Sequence, residues 1–166
     1  MSAGDRRFPY PNDWLPSSKI LDEAVYALRE DKRYDTKHDI PYAGGCSEDG
    51  GCIYRDKGID LVFTFGRRKV DVTDGLILHE SVEKALKLFA PHMIYELRHQ
   101  IALAAEKTWC DSRKIPWGSY NRQWDAQFKV IEARPSYPDT PKKFDWSPLV
   151  DEKDQATIKK IVGGMQ

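Results

Sequence analysis

His79, Glu80 and Glu83 are the residues of this chain best placed by type and spacing to do chemistry. They sit in Leu76-Ile77-Leu78-His79-Glu80-Ser81-Val82-Glu83-Lys84-Ala85-Leu86, which reads as a helix carrying the pattern HExxE. In a helix His79 and Glu83 stack on one face about 6 Å apart along the axis, so both side chains reach one ion above that face. Glu80 is rotated by about 100° and stands beside such an ion rather than on it. A carboxylate next to a metal-polarised water is the machinery of metal-assisted hydrolysis. On the next helix Tyr95, His99, Ala102 and Glu106 form one stripe. His99 is the expected third ligand, and Glu106 a fourth or the group that orients an imidazole from behind. Tyr95 is the expected donor to a developing oxyanion.

A four-residue pattern of His and Glu also arises by chance, and Glu80 and Glu83 beside Lys84 can be ordinary solvated charge pairs. The flanking residues argue against a purely solvated face. Leu76, Ile77 and Leu78 precede His79, and Ile101, Ala102 and Ala104 lie near His99. Ionisable groups on buried helix faces need partners, and one metal ion satisfies several together.

The run His79-Glu80-xx-Glu83 followed by His99 resembles the zincin metallopeptidases, whose active helix carries HExxH and whose third ligand often comes from the next helix. Glu83 stands where that family has its second histidine, and His99 restores a set of two histidines and one glutamate. The resemblance implies zinc on His79, Glu83 and His99, with Glu80 as general base. It also implies a peptide or protein substrate held by edge pairing on a strand of the preceding hairpin, for which residues 69–72 are the candidate. The loop at 40–56 together with the helix pair is similar to small uncharacterised proteins of alphaproteobacteria and their phages. The resemblance covers residues 40–110.

The elements that must position these groups can be read around them. Residues 52–56 form a short strand, and 61–65 and 69–72 two more, joined through Gly66-Arg67-Arg68. Thr73 or Asp74 caps the HExxE helix, which stops at Pro91; the next helix runs from about Pro91 to Cys110. A further helix spans 120–133, with Trp109, Trp117, Tyr120 and Trp124 packing the end of the helical region or lining a pocket. The polar stretch 30–39 reads as a loop. The expected class is α+β: a small antiparallel sheet or hairpin, then a helical core with two adjacent metal-site helices. Residues 1–18 form an extended arm, 19–133 a single domain opening on a short helix at 19–29, and 134–166 a Pro-rich strap with a helix at 151–162.

Composition narrows the classes. The chain has 166 residues, and its charged residues balance to a net charge of zero, so it lacks the basic field of a nucleic-acid binder. No apolar run approaches the roughly 18 residues of a membrane span, and the first residues lack a secretory core, so a cytoplasmic protein is expected, or a virion-associated one if phage-encoded. Cys46 and Cys52 have five residues between them, a spacing outside the common zinc knuckles, and with Cys110 they read as reduced thiols. His38, His92 and Asp56 read as surface or turn residues.

Two alternatives stand beside the zinc hydrolase. Glu96-Leu97-Arg98-His99 is an ExxH run, which with Glu80 or Glu83 suggests a di-iron carboxylate site, although a second ExxH is lacking. The Pro- and aromatic-rich stretches at 1–18 and 134–150 suggest an assembly or interaction protein whose arms bind protein partners, with a degenerate or structural metal site.

Overall fold

The computed structural model describes residues 33–147. The arm at 1–18 and the helices expected at 19–29 and 151–162 lie outside the described residues. The fold is α+β. Its elements are β1 (Arg33–His38), β2 (Gly44–Cys46), β3 (Cys52–Asp56), β4 (Val62–Phe65), β5 (Arg68–Asp71), α1 (Thr73–Phe89), α2 (Tyr95–Ser112) and α3 (Trp117–Glu132).

β1, β3 and β2 form one sheet in that order, β1 parallel and β2 antiparallel to β3. The sheet is therefore mixed rather than purely antiparallel. β1 is the segment expected to loop. Among the described residues it is an edge strand of the sheet, and polarity does not dictate the backbone. Strand β3 fills the middle, with Ile53, Tyr54 and Asp56 buried. Asp56 accepts two hydrogen bonds from Arg134, at 2.5 and 2.6 Å, and others from the backbone amides of Ile40 and Gly58. That clamp ties the end of β3 to the chain leaving α3.

β4 and β5 make the expected hairpin, with Gly66 at φ 63 in the tight turn where a side chain would be strained. The side chain of Gln123 on α3 covers the outer edge of β4, accepting from the Thr64 amide at 2.8 Å and donating to its carbonyl at 3.0 Å. Neither Thr73 nor Asp74 caps α1. The carboxylate of Asp71, still on the strand, accepts the Thr73 amide at 2.9 Å instead. α1 ends ahead of Pro91 as expected, but α2 begins at Tyr95, because residues 90–94 first turn the chain back.

That turn lays α2 antiparallel to α1, closing Val82, Ala85 and Leu86 onto Ile101 and Ala102. α3 packs Tyr120, Trp124 and Phe128 against Phe63, Leu76 and Cys110. Trp109, Trp117, Tyr120 and Trp124 gather at this end of the helices as expected. A third cluster, Ile40, Tyr42, Tyr54 and Phe144, joins the sheet to the strap that follows α3.

Candidate metal centre

α1 and α2 cross so that His79, Glu83 and His99 converge. His79 and Glu83 lie one turn apart on α1, and the antiparallel run of α2 brings His99 level with the gap between them. His79 Nε2 is 2.9 Å from Glu83 Oε1 and 3.2 Å from His99 Nδ1, and His99 Nδ1 is 2.5 Å from the same Glu83 oxygen. One donor atom from each residue falls within 4.8 Å of the others, a grouping that could hold a metal ion. His79 and His99 are 3% and 1% exposed, so the two imidazoles are removed from bulk water, while Glu83 reaches the cleft.

Glu106 does not join the three converging donors. It lies behind His79, its Oε2 2.8 Å from Nδ1 of the ring, and the Tyr120 hydroxyl donates to its other oxygen at 2.5 Å. A carboxylate at Nδ1 fixes that nitrogen as the proton carrier, leaving Nε2 to face Glu83 and His99. Of the two roles open to Glu106, the geometry fits orientation of the imidazole. The chain Tyr120–Glu106–His79 spans α3, α2 and α1. Tyr120 read in sequence as packing or pocket lining, not as a partner of Glu106, since that reach depends on how α3 crosses α2.

The electrostatics follow from this burial. Burial is the largest influence on His79 and favours its neutral form, but Glu83 and Glu106 together outweigh it and push the imidazole up to about 10. Burial likewise works against ionised Glu83, and the imidazole of His79, then that of His99, overcome it and hold the carboxyl well below its ordinary range. Without an ion the group is a buried imidazolium between carboxylates, occupying with a proton the place a cation would take.

Tyr95 stacks on His99, ring centroids 5.7 Å apart and planes 26° apart. Glu80 and Glu83 line a cleft between α1, β2 and residues 144–147, with Tyr95 and Arg98 on its other wall. Gly44 makes room for Glu80, since a Cβ at that position would lie 2.9 Å from Glu80 Oε1. The strand beside the HExxE helix is thus β2, and no residue of 69–72 lines the cleft. The hairpin is displaced because it turns away to pack under α3.

The remaining candidates lie elsewhere. Glu96 stands outside the converging group, which leaves an ExxH site without its carboxylate. His38 pairs with Asp35 at 2.8 Å on β1, and His92 is exposed at the α1–α2 connection. Cys46, Cys52 and Cys110 form no disulfide. Cys46 opposes Ile53 in the β2–β3 register, so Cys52, one residue away, points to the other face of the sheet. Sequence reading also missed Lys84, Lys87 and Asp145, which line the same cleft. The spacing of Lys84 and Lys87 from Glu83 places them along α1, but nothing local announces a partner as remote as Asp145. Among the described residues no helix is long and apolar enough to cross a membrane. No protein-family model, curated protein or solved structure matches the chain.

Proposed function

We propose that the protein is a zinc-dependent hydrolase of amide bonds, peptidase-like, with His79, Glu83 and His99 holding the metal and Glu80 as general base. The observation that carries this reading is the convergence of one donor atom from each of the three residues. Two imidazoles and a carboxylate are a donor set that suits zinc and leaves a position open for chemistry. Zinc in such a setting supplies Lewis acidity and brings the pKa of water down to about 7.

The protein's own groups divide the remaining work. Glu106, held by Tyr120, keeps His79 in one tautomer and one orientation. Glu80 stands one residue along from His79, at the cleft, and takes the proton of the attacking water before delivering it to the leaving amine. Tyr95, beside His99 at the cleft wall, donates to the oxyanion that forms at the carbonyl.

A second reading, a structural metal site in an interaction protein, draws on the burial of the donors and on the small cleft, which encloses about 40 Å³. Glu80→Gln separates the two. In the hydrolase reading the variant keeps its zinc and loses about 10²–10⁴-fold in turnover of a peptide panel, the range for loss of a general base. Zinc bound equally by both proteins, with no hydrolysis by the wild type, establishes the structural reading.

A further inference from the structure

The strap at 143–147 pairs with the end of β2 and the two residues that follow it, on the side facing away from β3. Phe144 forms an antiparallel bridge with Ser47, the Asp145 amide donates to the Cys46 carbonyl at 2.9 Å, and the Glu48 amide donates to the Lys143 carbonyl at 2.8 Å. The side chains are read as well. Phe144 is fully buried against Tyr42 and Tyr54, over Gly45, where a Cβ would come within 2.5 Å of the Phe144 ring. The Asp145 carboxylate accepts Lys84 Nζ at 3.0 Å and Lys87 Nζ at 2.8 Å. Lys87 donates to Ser147 too.

Backbone pairing on a strand edge, with pockets for alternate side chains, is how proteins hold extended peptides. Here the lysines that hold Asp145 line the same cleft as Glu80 and Glu83, and Phe144 borders that cleft together with Tyr42 and Gly45. Lys84 is 3% exposed, and Lys87 and Arg98 line the same cleft. If the strap leaves, Lys84 and Lys87 lose their carboxylate within one turn of Glu83. A peptide bearing its own carboxylate at that place restores the pairing, whereas a neutral one leaves a buried cation alone.

We propose that residues 143–147 are a tethered, displaceable peptide ligand of the cleft, and that the cleft's substrates are extended peptides carrying an aromatic residue followed by an acidic one. The fate of the bound peptide rests on the hydrolase reading, but its binding does not. Tethering makes the strap a competitor in the same molecule, lowering the apparent affinity for a second peptide by the fraction of chains in which the strap is open.

The probe is a fluorescein-labelled peptide copying residues 141–147, and its binding to full-length wild type and to full-length Asp145→Asn is followed by anisotropy. The Asp145→Asn chain is expected to bind it about ten-fold more tightly than wild type does, because its own strap competes less. The same peptide with asparagine for aspartate is expected to bind about ten-fold more weakly. Hydrogen exchange of the wild type supplies a test without any variant. The Asp145 amide, on the outer edge of β2, is expected to exchange about ten-fold faster than the Asp56 amide, which donates to Ala43 beside its inner edge. Absence of peptide binding to the variant, equal binding of the two peptides, or equal exchange of the two amides overturns the proposal. So does loss of a cooperative unfolding transition in Asp145→Asn, which makes the strap an inseparable part of the core. Zinc is measured in the same samples: selective peptide binding without zinc refutes the hydrolase reading alone, and zinc without peptide selectivity refutes this proposal alone.

Discussion

Glu106→Gln tests whether the residues behind His79 set its orientation. The side chains are nearly isosteric, so the packing around a residue 2% exposed is preserved while its charge is removed. In the metal-free chain His79 loses one of the two carboxylates that raise it to about 10. A hydrogen bond to a charged group contributes about 1.5–3 kcal/mol, and that is the expected loss in urea unfolding at neutral pH. The sign with pH is fixed. A raised histidine pKa stabilises the fold fully below its ordinary value of 6.5, and that stability disappears as pH climbs through about 10. The gap between wild type and variant is therefore widest below pH 6.5 and closes toward pH 10. In the zinc-loaded chain, loss of the carboxylate partner of a ligating imidazole lowers metal affinity about 10–100-fold, read by titration against a competing chelator. Unchanged zinc affinity with the stability loss intact would refute the orienting role and leave Glu106 a packing residue. A gap that ignores pH would refute the imidazolium.

Arg134→Met probes the support of the sheet, away from the candidate metal centre. It strips two hydrogen bonds from the fully buried carboxylate of Asp56, so unfolding stability at neutral pH falls by about 3–5 kcal/mol while zinc content is unchanged. Burial works against ionised Asp56, but Arg134 and the amides of Ile40 and Gly58 overcome it and lower its pKa. The stability this carries is present at neutral pH and lost on acidification, so the gap from wild type narrows as pH falls; a loss below about 1 kcal/mol contradicts the clamp. Cys46 and Cys52, on opposite faces of the sheet, stay unpaired to each other under mild oxidation, and mass spectrometry after alkylation recovers both as thiols. A crosslinked Cys46–Cys52 peptide contradicts the register.

What was legible in the sequence follows the range over which each signal acts. The spacing of His79 and Glu83 fixes their common face wherever α1 goes, and helical spacing carries His99 and Glu106 onto one stripe of α2. Only the antiparallel crossing of the two helices separates those two residues, sending His99 to the gap between His79 and Glu83 and Glu106 to the far side of the ring. Tyr120 reaches Glu106 through the packing of a third helix, and Asp145 reaches Lys84 across 61 positions, so no local pattern announces either. β1 was hidden for a different reason. An edge strand takes its conformation from pairing with β3, and its polar side chains carry no periodic apolar signal. The hairpin was legible as a hairpin, but the sequence could not tell that β2 rather than β5 would flank α1, because that choice is made by tertiary packing.

Zinc titration of the full-length protein, with His79→Ala and His99→Ala alongside, measures the central claim most directly. The convergence of donors from both helices predicts about one zinc per chain for the wild type and a loss of affinity beyond about 100-fold in each variant, since each removes one of three ligands. Absence of stoichiometric zinc in the wild type, or wild-type affinity in His99→Ala, contradicts a metal centre shared between α1 and α2.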